Sequence, residues 1–338
     1  MFKVKIPVFY LIISICAGLI LTYVGIKIAV KEQVDLDKNL ANQSSQTSGN
    51  YKISRIGGYK YTSPILSAEP ERESPIFFPL KNEINRFIEN EEKDGVVTSA
   101  SIYIRDVANG DWIVINEDRR YLPGSLLKVG ILITWLRMCE NQPGLLDKEL
   151  VYHGPMGFRF PIEHYKSDTI IDGHRYKVKE LLESMVVNSD NRATLFLENI
   201  MDTNIFKKEF SDMGIPQPSF SDNNFMLNVK DYSIFMKALI NSSYLYPKES
   251  EYAISLLTRS NFKDGLVKEL PDSVLIAHKF GEAGDSRIHE LHETGIVYVN
   301  NKPYIITVMT QGYDWNRLAN VISHTSKITY DNMLSMSK

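Results

Sequence analysis

Strand-like patterns lie near both ends of this 338-residue chain, with a block of helical patterns between them, and few folds accommodate that order. Residues 96–107 alternate and are rich in β-branched side chains, Asn109-Gly110 supplies a tight turn, and the alternation resumes over 112–115. The next strand signals come only at 273–278, 295–300 and 302–310, the last two joined by Asn300-Asn301. Between the two groups, residues 176–187, 192–201, 229–240 and 249–258 carry amphipathic helical spacing. Residues 126–138 are almost wholly apolar, as in a helix buried on all sides. Helical spacing also opens the body near Pro79 and closes it over 315–333. One sheet assembled from both chain ends accounts for this order. The expected fold class is α/β of the α+β type: an antiparallel five-stranded sheet flanked by helices, with an all-helical subdomain inserted at about residues 142–260.

Ahead of this body the chain changes character. Lys3 and Lys5 precede 21 uncharged residues, 6–26, and Lys27 and Lys31 follow. As a helix that run would reach about 30 Å, enough to span a bilayer core. Its end, Val24-Gly25-Ile26-Lys27, offers no small-residue cleavage site. Residues 1–30 are therefore expected to be an uncleaved, single-pass transmembrane helix in the cell membrane. Lysines flank both sides, so charge does not fix the orientation; the folded domain is placed outside the cytoplasm on the chemistry described below. Residues 31–77 read as a flexible polar linker and an extended segment, and 78–338 as the folded domain. Cys16 falls in the expected span and Cys139 in the buried helix, which allows no disulfide within the soluble part. A net charge of −3, with no basic run interleaved with aromatics, argues against a nucleic-acid partner.

Three short motifs fall in order on this framework. Ser125-Leu126-Leu127-Lys128 opens the buried helix, Ser189-Asp190-Asn191 lies between two amphipathic helices, and Lys279-Phe280-Gly281 follows a strand signal. Ser125 and Lys128, three apart, share one helical face. A partly buried lysine loses some of its charge, so Lys128 can take a proton from the Ser125 hydroxyl. The helix N-terminus offers free backbone N–H groups to a developing oxyanion, and Gly281 lets a substrate backbone approach the strand. Each motif alone has an ordinary structural reading as caps and surface lysines. Ser-x-x-Lys recurs at Ser260 and Ser335, and Ser-Asp-Asn at residues 221–223. Their joint order on helix, interhelical loop and strand is what carries chemical meaning. His289-Glu290-Leu291-His292-Glu293 lacks the four-residue helical spacing of a zinc pair, so neither a metal nor another cofactor is expected.

These motifs resemble the penicillin-recognising serine enzymes, the class A β-lactamases and the related D-alanyl-D-alanine peptidases. The likeness extends to residues 176–182, to Thr294-Gly295-Ile296-Val297-Tyr298 and to Pro303-Tyr304-Ile305-Ile306, and it covers roughly residues 79–332. It implies that Ser125 is the acylated nucleophile, with Lys128 as base or relay and Ser189 as proton shuttle. Ser189 and Asn191 would then flank the substrate, and Lys279, beside Gly281, would contact its carboxylate end, with the N–H groups of Ser125 and Glu282 as the oxyanion hole. The implied partner is a β-lactam or cell-wall peptide. Two positions depart from the family pattern. Phe280 stands where a Thr or Ser hydroxyl normally binds the substrate carboxylate. Between Met213 and Asn228 the only carboxylate is Asp222, where class A enzymes carry a deacylating glutamate. These departures keep open a D,D-peptidase or penicillin-binding protein with slow deacylation, and a non-catalytic module binding the cell wall or a partner.

Overall fold

The computed structural model of the chain describes residues 51–155, 163–166, 168–218, 225–300 and 302–336. The expected anchor, the tether before residue 51 and the second Ser-Asp-Asn all lie outside the described residues. Among the described residues, no helix is long and apolar enough to cross a membrane.

The described chain opens with a hairpin, β1 (Tyr51–Arg55) and β2 (Ile65–Pro70), then enters helix α1 (Phe78–Lys93). Strands β3 (Val97–Asp106) and β4 (Trp112–Ile115) follow, then helix α2 (Lys128–Asn141). The middle of the chain carries a short ribbon, β5 (Glu149–Val151) and β6 (Arg175–Lys177). Five helices come next: α3 (Val178–Val187), α4 (Asn191–Ile200), α5 (Thr203–Met213), α6 (Val229–Ile240) and α7 (Pro247–Leu257). Strands β7 (Ile276–Gly284), β8 (His289–Val299) and β9 (Lys302–Gly312) and helix α8 (Trp315–Met336) complete the chain.

The sheet has five strands in the order β4-β3-β9-β8-β7, all antiparallel, so strands from the two chain ends meet at the β3–β9 pair. Its side chains alternate between two cores, as a two-residue period requires. Ile102, Ile104, Ile306 and Val308 face α1 and α8, which bury Leu80, Ile84, Leu318 and Ile322 against them. Tyr103, Ile305 and Met309 face the helical side, where every residue from Lys128 to Leu136 is buried. Each fully buried Leu or Ile contributes about 1.5–3 kcal/mol, which favours this register over a one-residue slip.

The insertion is not all-helical: Arg175–Lys177 pairs with Glu149–Val151 before α3 begins at Val178. Lys177 N–H donates to Glu180 at 2.7 Å, which fixes the helix start there rather than at Tyr176. Helix α5, absent from the sequence reading, is started by Asp202 accepting from Asn204 N–H and stopped by Gly214 at φ +68°. Residues 51–70, assigned from sequence to the linker, form the β1–β2 hairpin in the same compact unit as the rest of the described chain. The reason is long-range: Glu69 meets Arg105 at 3.0 Å, and Trp112 Nε1 donates to the Pro70 carbonyl at 2.9 Å.

Candidate active site

Ser125 sits on a 3₁₀ turn, Gly124–Leu127, that runs directly into α2. The turn lies hard against β7, and two glycines permit this. A Cβ on Gly124, which has φ +52°, would stand 2.1 Å from the Glu282 carbonyl oxygen. One on Gly281 would stand 2.7 Å from the Pro123 carbonyl oxygen and 2.8 Å from Leu126 N. On the helical side, Tyr232 of α6 donates its hydroxyl to the Leu126 carbonyl at 2.7 Å. The half-buried Ser125 is thus held beside the Glu282 backbone.

Lys128 is buried at the floor of the cleft. Its Nζ donates to Asn191 Oδ1 at 2.7 Å, to Ser189 Oγ at 3.1 Å and to the Ser189 carbonyl. No hydrogen bond joins it to Ser125 among the described residues. Burial lowers its pKa to about 8, against the opposing pull of Glu163, Asp190, Glu198 and Glu282. Lys279 is fully buried and reaches the same loop from β7, donating to Ser189 Oγ and to the Phe280 carbonyl, each at 2.8 Å. Burial, with the Lys128 charge nearby, holds it well below the ordinary ammonium range. Ser189 therefore joins two lysines. Its φ of +56° is a costly conformation for a serine. The buried Asp190 fixes the loop by accepting from Ile170 N–H, Ser184 Oγ and Arg192 N–H at 2.8, 2.9 and 2.8 Å.

The sequence reading put Lys279 at a strand end, but β7 continues through Gly284 and carries Lys279, Gly281 and Glu282 within it. Phe280 is a core residue there. Its ring stacks on Phe262 with centroids 4.3 Å apart and meets the edge of Tyr165 at 5.9 Å. His289 and His292 fall on opposite faces of β8. His289 stacks on Trp315 at 4.5 Å, and His292 Nε2 donates to the Leu122 carbonyl at 3.0 Å.

A cleft of about 770 Å³ is lined by Ser125, Lys128, Asn191 and Glu282, together with two carboxylates the sequence reading missed, Glu163 and Glu198. The family pattern directs attention to residues between Met213 and Asn228, between α5 and α6. Glu163 instead precedes the Ser-Asp-Asn loop and accepts from Asn191 Nδ2. Glu198 stands two turns along α4 from Asn191, and its i+7 spacing was the legible signal. Burial raises the pKa of both, with Lys128 opposing. Glu282 adds a tie across the cleft: its carboxylate accepts from Tyr165 N–H at 2.7 Å and His164 N–H at 3.2 Å. The arrangement offers a hydroxyl at the cleft, a partly neutral amine one helical turn away, and a second hydroxyl between two amines. That set suits acyl transfer.

A family model described as the beta-lactamase enzyme family matches residues 79–333. No curated protein matches the chain. Among solved structures, a β-lactamase from Chitinophaga pinensis is 17% identical, with a TM-score of 0.65 over 75% of this chain and 99% of its own. A class A β-lactamase from Bacteroides cellulosilyticus is 18% identical, with a TM-score of 0.64 over 76% of this chain and 99% of its own. The structure titled PBP-A is also 18% identical, with a TM-score of 0.64 over 78% and 98%. At these identities the structural likeness speaks for the fold.

Proposed function

This chain belongs to the beta-lactamase enzyme family, and on that premise we propose that it is a serine hydrolase opening a β-lactam or a related peptide amide through an acyl-enzyme on Ser125. One observation carries the reading: a buried lysine with a pKa near 8 lies one helical turn from Ser125 and is joined to Ser189. In the first step Ser125 Oγ bonds to the carbonyl carbon and its proton passes to neutral Lys128. The carbon–nitrogen bond then breaks. Ser189 gives its proton to the departing nitrogen and is reprotonated from the lysine pair. Water hydrolyses the resulting ester and frees Ser125. Asn191 and the β7 strand at Gly281 and Glu282 hold the substrate, and backbone N–H groups of Ser125 and Glu282 receive the oxyanion. The uncharged run at residues 6–26 would tether the enzyme to a membrane, with its domain outside the cytoplasm.

Intact-mass spectrometry of residues 51–338, with a penicillin and in parallel a neutral acyl thioester, tests the assignment. Wild type should gain an acyl adduct that Ser125→Ala lacks, while the variant keeps its circular dichroism. A transient adduct with continuing loss of reagent means a hydrolase; a lasting one means the slow-deacylating peptidase or penicillin-binding alternative. No adduct from either reagent would sink the enzyme reading and leave the non-catalytic binding module.

A further inference from the structure

The β1–β2 hairpin is committed to the fold by only some of its side chains. Ile56 and Leu66 are buried in the core, and Glu69 meets Arg105 at 3.0 Å. Ile56 N–H donates to the Pro64 carbonyl at 3.0 Å, which closes the loop that carries Tyr59 and Tyr61. Those two tyrosines are exposed, Tyr61 at 86%, and so are Tyr51, Ile53 and Ile65. Single exposed apolar side chains are ordinary, but five on one short hairpin mark a surface that something covers.

Charge narrows the kind of partner. Lys52, Arg55 and Lys60 are exposed, and none of them is in an ion pair among the described residues. No aspartate or glutamate occurs from Tyr51 to Ala68, in a chain whose net charge is −3. Lys60 Nζ lies 4.9 Å from the centroid of the Tyr61 ring, which sets a cation beside an aromatic at the loop. From the neighbouring α5, Lys208 comes up to Gly58 and is paired with Asp212 at 2.7 Å, so that carboxylate is already neutralised. Tyrosine rings with a few lysines and arginines suit the headgroup level of an anionic bilayer, where the ring body is apolar-facing and its hydroxyl stays wet.

The place of the hairpin in the chain supplies a second argument. Strand β1 starts at Tyr51, and residues 27–50 join it to the uncharged run at 6–26. As a flexible polar chain those residues would span roughly 25–30 Å. A run at 6–26 seated in a bilayer therefore keeps the hairpin within reach of the lipid surface, and weak contacts suffice at that effective concentration.

We propose that the β1–β2 hairpin docks the domain on an anionic lipid surface, with Tyr59 and Tyr61 among the headgroups and Lys52, Arg55 and Lys60 facing the negative charge. The proposal is independent of the reaction at Ser125. Its setting rests on the membrane reading of residues 6–26, and the test omits those residues so that the two readings stand or fall separately.

Both cores lie within the compact unit that starts at Tyr51, so residues 51–338 serve as the test protein. Sedimentation with sucrose-loaded vesicles would compare equal parts phosphatidylglycerol and phosphatidylcholine with phosphatidylcholine alone. The protein should bind the anionic vesicles at least about tenfold more strongly at low salt, and high salt should remove most of that preference. Lys52→Gln with Lys60→Gln should cut the preference several-fold. Neither lysine makes a hydrogen bond or ion pair among the described residues, so the fold is retained, which circular dichroism would check. Tyr59→Ser with Tyr61→Ser should weaken binding to the anionic vesicles several-fold. Absence of binding to the anionic vesicles, or equal binding to both kinds, overturns the docking. Anionic binding untouched by either double variant overturns the hairpin as the contact. A lipid-free dimer that the tyrosine variant abolishes, with no vesicle binding, assigns the surface to a second copy of the chain and overturns the proposal.

Discussion

At the scale of single residues, the proposed reaction turns on the protonation of Lys128. Only the neutral amine can take the Ser125 proton, so the acylation rate should rise with pH and level off above about 8. Lys128→Arg keeps the charge but cannot release a proton, and should cost about a hundredfold or more in that rate. The midpoint itself can be moved. Glu163 is the carboxylate that most strongly raises the Lys128 pKa. Glu163→Gln removes that influence, so the profile of thioester acylation against pH should shift to lower pH. A midpoint that stays or rises in this variant would mean that Lys128 is not the titrating base. Ser125 and Lys128 were legible because a three-residue spacing on a helix is local. Glu163 was not, since it meets Asn191 across a separation of 28 residues that includes β6 and α3, and no local pattern marks it.

At the scale of elements, the Ser125 turn and β7 form one packed unit held by missing side chains. Gly281→Ala would bring a Cβ within 2.8 Å of two backbone atoms, which cannot move as the end of a flexible side chain can. Gly124→Ala adds an unfavourable positive φ to a 2.1 Å clash. Each should destabilise by about 2 kcal/mol or more and slow acylation beyond what the loss of folded protein explains; urea titration and adduct formation on the folded fraction would check this. The strand pattern hid this unit, because the apolar strand signal stops before Lys279 while pairing carries β7 on through Gly284. Helix α5 was missed despite clear end signals, and it brings Glu209 into the core against α2. Glu209 is fully buried, accepts from Thr134 Oγ1 at 2.6 Å and leaves its other oxygen unpartnered. Burial puts its pKa well above the ordinary value. With the folded pKa raised, its contribution is complete below the unfolded pKa of about 4.3 and declines as pH rises. Glu209→Gln should therefore flatten the fall in unfolding free energy as pH rises above the unfolded pKa, whatever it does to absolute stability.

At the scale of the whole molecule, the alternation of β3, β8 and β9 and the helical spacing in the middle made the layered architecture readable, because each is a local period. What fastens the layers together is not local. Glu69, on a hairpin that precedes the family match at residues 79–333, reaches Arg105 across 36 residues and Lys237 across 168. It also accepts from the Tyr103 hydroxyl at 3.1 Å. Burial alone would raise its pKa, yet the two cations outweigh that and hold it low, so its stabilisation is present above the unfolded pKa and lost as pH falls. Lys237 and Arg105 are both buried, and without Glu69 they face each other beside Tyr103 with no described carboxylate in ion-pair contact. Removing one partner of such a group costs about 3–5 kcal/mol, because the remaining charges stay desolvated. Glu69→Ala should therefore destabilise the entire folded unit by that order. Glu69→Ala with Lys237→Met should recover part of the loss, since the double variant no longer buries the unpaired ammonium. If the single variant unfolds only the hairpin, seen as rapid exchange of amides in residues 51–70 with an unchanged urea midpoint for the sheet, then the hairpin is an appendage and Glu69 does not join it to the core.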